Sequence, residues 1–244
     1  MITHIYRFAD KDIQISSIYE YVHHYCVDYR VSGMPDFSVT TSVEDIEYER
    51  EKSRRDDLAE GRVICSYSAP YLESLAVYRK IAEKMPSYDT ILFHGSVVAV
   101  DGQGYIFTAK SGTGKSTHTQ LWMQYLGERA IIINDDKPLL RIAYGIVTAY
   151  GTPYNGKHRR GCTLSVPLTA ICILERGKEN HIEPVGKNAV YPLLVQQVYR
   201  PSDADMLVRT LTLLDRMTEN VGLYRLRCNM DIEAAKVAYH GMKG

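Results

Sequence analysis

The run GYIFTAKSGTGKSTHTQLW, residues 104–122, constrains the fold more than any other stretch of the chain. Its first part is aromatic and β-branched, as a strand is. Its last part keeps helical spacing, and between the two SGTG places four small residues in a row. An α/β arrangement accommodates that order: a strand delivers the chain through a tight turn into a helix N-terminus. Backbone N–H groups of Ser111, Gly112, Thr113, Gly114 and Lys115 are then placed to wrap a β-phosphate, and the helix dipole adds to them. Lys115 reaches the β- and γ-oxygens and the Ser116 hydroxyl ligates Mg²⁺, with Thr117 completing the nucleotide-binding set. The usual pattern opens with glycine where this chain has Ala109. One methyl at that junction is harmless unless the residue needs a positive φ.

Twenty residues after Lys115 comes the pair Asp135–Asp136, closing the strand-like run ERAIIIN. That separation holds one helix and one short strand, so a βαβ crossover returns both carboxylates to the sheet edge where the loop begins. One carboxylate would hold Mg²⁺ directly or through water, while its neighbour accepts the proton of an attacking hydroxyl. Further on, TPYNGKHRRG packs Lys157, His158, Arg159 and Arg160 into four consecutive positions of a turn-rich loop. Cations there complement a transferring phosphoryl group or an anionic acceptor. Adjacent residues of an extended loop point to opposite sides, so at most one of the two arginines is expected to face the phosphates, and Arg160 is the candidate.

The block HGSVVAVDGQGYIFTAKSGTGKST followed by INDDK resembles the HPr kinase/phosphorylase family and, through it, the phosphoenolpyruvate carboxykinase type of P-loop fold. The resemblance rests on a His-Gly, a hairpin with G-x-G, S-G-x-G-K-S and a strand-terminal Asp-Asp, in order, over residues 91–138. It implies an α/β P-loop kinase core with a mixed sheet and a phosphoryl transfer from ATP with Mg²⁺ to a hydroxyl. His94 would then lie near the metal or the aspartates. Asp135 would be the base and Asp136 a holder of Mg²⁺, or the two roles reversed. After the aspartates the chain has YGTPYNGKHRRG in place of the glycine-rich signature of true HPr kinases, so the resemblance is to a distinct branch. The acceptor implied is a serine or threonine of a protein or peptide, or a small molecule. The alternatives are a carboxykinase-like enzyme acting on a small acid and a nucleotide-binding regulator with little turnover.

Around that block, the sequence predicts a small N-terminal α+β region over residues 1–88 and the catalytic domain over 89–244. THIYRF and YEYVHHYCVDYRV alternate as half-buried strands do. Ser42 followed by Asp45 is a capping-box pattern that opens a charged helix with a solvated face, ending near Gly61. A second helix runs over 70–84 and stops at Met85-Pro86. Residues 90–110 read as two strands around the turn Asp101-Gly102-Gln103-Gly104, and 130–134 as a buried strand. Strands over 139–151 and 166–177, helices over 189–220 broken near Pro201, a strand GLYRLRC and a last helix from Asp231 complete the pattern.

Charge balance decides the partners. With 29 basic and 29 acidic residues the chain has no excess for a nucleic-acid backbone, so nucleic acid is not expected. The longest apolar run is about nine residues, roughly half a membrane span, so no membrane partner is expected either. An N-terminus without a charged, apolar leader and five scattered cysteines, none in CxxC, fit a reducing, cytoplasmic setting. A homo-oligomer is compatible with this composition.

Overall fold

In the computed structural model, which describes residues 1–59, 61–110, 112–156 and 158–243, the chain falls into two units, Met1–Lys84 and Met85–Gly244. The first is built on the strands β1 (Ile2–Phe8), β2 (Lys11–Ser17), β3 (Arg30–Val31) and β4 (Phe37–Thr40), in sheet order β3-β1-β2-β4. Tyr6, Phe8, Ile13 and Ile15 alternate onto its buried face. The helices are α1 (Tyr21–Tyr25), α2 (Val43–Ala59) and α3 (Ala69–Lys84).

The expected strand over residues 19–31 is mostly not one. Its middle is α1, because Val22 and the adjacent His23 are both buried, which an alternating strand does not allow. His23 is held there by Tyr6 Oη at Nδ1 (2.8 Å) and Ser17 Oγ at Nε2 (2.9 Å). Ser42 and Asp45 meet at the start of α2, as the capping pattern predicts: the Ser42 N–H donates to Asp45 Oδ2 at 3.0 Å and the Ser42 hydroxyl to the same oxygen at 3.3 Å. The face of α2, expected to be solvated, buries Glu49 and Asp57, and Glu49 accepts from Arg79 on α3.

The second unit is mixed α/β. Its strands are β5 (Thr90–Leu92), β6 (Ser96–Val100), β7 (Gln103–Thr108), β8 (Ala130–Asn134), β9 (Leu139–Ala143), β10 (Ile146–Tyr150), β11 (Ser165–Arg176), β12 (His181–Pro184) and β13 (Gly222–Cys228). Among the described residues they make one curled sheet of order β5-β9-β10-β11-β7-β6-β8, with β13 on β11 and β12 on β13. The 12-residue β11 is its spine: its first residues pair with β10, and its later ones with β7 on one side and β13 on the other. The helices are α4 (Lys115–Leu126), α5 (Lys187–Gln197), α6 (Ala204–Asn220) and α7 (Ile232–Met242).

Each sheet face has its own core. Trp122 of α4 and Ala235, Ala238 and Tyr239 of α7 pack with Val98, Phe107 and Cys172. Leu194 of α5 and Leu213, Leu214 and Met217 of α6 pack with Ile106, Ile142 and Ile171 on the opposite face. A side chain of this size contributes about 1.5–3 kcal/mol when fully buried.

Two sequence expectations are corrected here. Residues 90–110 hold three strands, because the chain leaves the ladder at Phe93–Gly95: the His94 N–H donates to Gln197 C=O (2.7 Å) and the Gly95 N–H to Asp136 C=O (3.0 Å). The expected buried strand β8 ends the sheet order beside β6, and Ile131 is 45% exposed. No helix among the described residues is long and apolar enough to cross a membrane.

Candidate functional site

Strand direction decides where the candidate residues meet. β7, β11 and β13 are mutually parallel through β11, and β6 runs antiparallel to both β7 and β8. The carboxyl ends of β7, β8, β11 and β13 therefore share one edge of the sheet, the edge at which open α/β sheets bind ligands. Loop 109–114 leaves β7 there, Asp135 and Asp136 follow β8, and Arg176 ends β11.

Within the loop, Ala109 stays outside the left-handed region and buries its methyl beside Val98, Phe107 and Trp122. The absent glycine thus costs nothing at this position. Gly112 (φ 74°) and Gly114 (φ 120°) do take conformations that side chains resist, and an added Cβ would meet no atom within 4 Å at either. Glycine is required there by the backbone and not by crowding. Carbonyls fasten the loop: Thr113 donates to Lys110 C=O through N–H and hydroxyl, and Arg176 Nη2 donates to Gly112 C=O at 2.7 Å. Gly114 C=O accepts the His118 N–H (2.9 Å), opening α4. Ser111, expected in this set, lies outside the described residues.

A cavity of about 400 Å³ sits at the loop. Gly112, Gly114, Lys115, Ser116 and Thr117 form one side of its lining, and His94, Asp135 and Asp136 contribute to the rest. Thr113 and Arg160 are not among the lining residues; His158 and Gly156 of the same basic loop are. Lys157 lies outside the described residues. Asn134, which sequence reasoning passed over, sets the carboxylates: buried at the end of β8, its Oδ1 accepts the N–H of Asp136 (2.9 Å) and of Lys137 (2.8 Å). The signal was present, since Asn followed by Asp-Asp is a side chain suited to an Asx turn. Its Nδ2 donates to Thr152 Oγ1 (2.9 Å), and Asn134 bridges Gly161, so the basic loop is tied to β8 at both ends.

The two aspartates face different neighbours. Asp135 is buried, and its Oδ1 accepts from Thr119 Oγ1 of α4 at 3.4 Å. Asp136 Oδ1 lies 3.4 Å from His94 Nε2. Burial pushes the Asp136 carboxyl up, but the hydrogen bond from His94 and the charges of Lys137, His94 and Lys115 outweigh it, leaving the group below its ordinary value. Burial pushes the Lys115 ammonium down, against the pull of Asp136 and Asp135. Oxygen donors from Ser116, Asp135 and Asp136 suit a hard cation such as Mg²⁺. Among the described residues no group of three or more His, Cys, Asp or Glu could hold a metal ion.

A family model described as SynChlorMet cassette protein ScmC matches residues 71–231. None of the curated proteins matches the chain. A solved structure, that of the Hpr(Ser) kinase/phosphatase from Coxiella burnetii, aligns with 7% identity and a TM-score of 0.35, over 61% of this chain and 94% of that one.

Proposed function

The chain belongs to the SynChlorMet cassette protein ScmC family, and from the cavity at its glycine-rich loop we propose a Mg²⁺-dependent kinase that transfers the γ-phosphoryl group of ATP to a hydroxyl. The acceptor class is a serine or threonine of a protein or peptide, or a hydroxyl-bearing small molecule. One observation carries the reading: Lys115, Ser116, Asp135 and Asp136 line one cavity at a loop whose glycines hold left-handed φ. With its carbonyls fastened to Thr113 and Arg176, the loop is left to present N–H groups to phosphate.

In the reaction the acceptor oxygen attacks the γ-phosphorus in line, the new O–P bond forms as the bond to the β,γ-bridging oxygen breaks, and ADP leaves. Lys115 compensates the charge on the phosphate oxygens. Mg²⁺ held by Ser116 and Asp135 would supply charge neutralisation for the transferring phosphoryl group. Asp135 shares Thr119 with the helical turn that carries Ser116, since Thr119 Oγ1 also donates to Ser116 C=O. That placement favours Asp135 as the carboxylate on the metal side. Asp136, beside His94, then takes the hydroxyl proton, the reverse of the order the family resemblance implies.

The test is transfer of label from γ-labelled ATP to a panel of free serine, threonine and hydroxyl-bearing peptides. Lys115→Ala should lose most Mg-ATP affinity. Asp136→Asn should keep nucleotide binding and lose at least about two orders of magnitude in transfer, and Asp135→Asn should raise the Mg²⁺ concentration that half-maximal transfer needs. Unchanged ATP affinity in Lys115→Ala, or normal transfer in both asparagine variants, would sink the proposal.

A further inference from the structure

Asp136 and the basic loop are joined by two buried polar side chains that the reaction itself does not use. Loop 152–161 leaves the end of β10 and comes back beside β8 with its two ends close together: the Gly151 N–H donates to Leu164 C=O (3.0 Å) and the Cys162 N–H to Ile133 C=O (3.1 Å). Tyr154 and Asn155 are buried within it, which makes it a compact loop of the Ω kind, packed on its own side chains. At Gly156 (φ 79°) its backbone passes so near the aspartate turn that a Cβ would stand 3.3 Å from Asp136 Cβ. Gly156 and His158 are the residues through which it meets the cavity.

Asn134 stands at the joint and has no exposed surface. Two backbone N–H groups, those of Asp136 and Lys137, donate to its Oδ1, which fixes how the amide is turned. Its Nδ2 is thereby aimed at Thr152, donating to Oγ1 at 2.9 Å and to C=O at 3.3 Å. The Thr152 hydroxyl, equally buried, donates in turn to Lys137 C=O at 3.0 Å. Strand end, aspartate turn and loop base thus share one amide and one hydroxyl. Buried groups of this kind have no water to fall back on, so the turn cannot shift without pulling the loop with it.

We propose that Asn134 and Thr152 are positioning residues for the transfer step, holding the loop that carries His158 at one setting against Asp136. Nucleotide affinity belongs to the glycine-rich loop across the cavity and does not pass through them. This inference rests on the kinase reading above, because it assigns the two side chains to the acceptor's half of that reaction.

The experiment uses the full chain with Thr152→Val, which keeps the shape and removes the hydroxyl, and Thr152→Ser, which keeps the hydroxyl. Asn134→Asp is the second route: it retains an acceptor for the Asp136 and Lys137 N–H groups and puts an oxygen where Nδ2 donated. Each is read by hydrogen exchange of peptides covering residues 152–161, by Mg-ATP titration and by label transfer. In Thr152→Val and Asn134→Asp the loop should exchange faster than in the parent and Mg-ATP affinity should be kept, while kcat falls about ten- to a hundredfold, the scale of a small misplacement near reacting groups. Thr152→Ser should bring both exchange and kcat back toward the parent. A loop that exchanges as in the parent in both variants, or a faster loop with kcat unchanged, would overturn the positioning role and leave the kinase reading standing. Loss of Mg-ATP affinity in step with kcat would overturn it too, placing the pair in the nucleotide site. A parent that binds Mg-ATP and labels no acceptor would overturn the kinase reading and this inference with it.

Discussion

Among individual residues, His118 makes the sharpest statement because its environment has a measurable signature. Burial pushes its imidazole down to about 4 from an ordinary value of 6.5. Between those values the unfolded chain takes up a proton that the folded one refuses, so stability falls as pH is lowered through this window and is fully present above it. The difference is at most about 3 kcal/mol. His118→Gln, which keeps an acceptor for Trp122, should lack this component: urea titrations at a series of pH values should show a shallower acid loss in the variant than in the parent. Equal slopes would mean that His118 protonates freely in the folded state. The same residue has no special mark in the sequence, where it is one polar position on a helix. Lys115, Ser116 and the two aspartates were legible because their chemistry is tied to local spacing. His118 acquires its meaning from Trp122 one turn on and from strands far away in the chain.

Elements were legible where a local device ends or starts them. The capping pair Ser42–Asp45, the Met85-Pro86 stop of α3 and the glycine-to-helix passage at Lys115 each act within a few residues, and each lies where the pattern predicts. Alternation misled over residues 19–31, because one buried histidine with partners on β1 and β2 outweighs the periodicity of its neighbours. The break at His94–Gly95 depends on backbone partners at Gln197 and Asp136, which no local window contains. The basic loop after β10 shows the same limit: its charge was evident, but which side chain enters the cavity was not. Arg159 takes φ 50° and the loop turns, so strand-like alternation does not apply there, and among the described residues of the basic run His158 lines the cavity where Arg160 does not. His158→Ala should therefore lower phosphoryl transfer with Mg-ATP affinity retained, while Arg160→Ala should behave as the parent in both assays. A transfer defect confined to Arg160→Ala would return the role to that residue.

For the molecule as a whole, the cavity at the glycine-rich loop and both cores lie within Met85–Gly244. A protein made of residues 85–244 should therefore fold and bind Mg-ATP with the affinity of the full chain. Calorimetry on that protein, with circular dichroism to confirm helix and strand content, checks this; a folded but non-binding product would assign part of the nucleotide site to the first unit. The sheet also carries a dimension that no side chain sets. Between β7, which ends in the glycine-rich loop, and β8, which ends in the aspartates, lies one strand, β6, paired to both. Neighbouring strands are about 4.8 Å apart, so the two ends stand about 9.6 Å from one another. The backbone lattice acts as a ruler, gauging the gap between phosphate cradle and carboxylates in whole strand steps. Drift in sequence can retune the chemistry on either side of the gap, but a change of its width needs a strand inserted or removed.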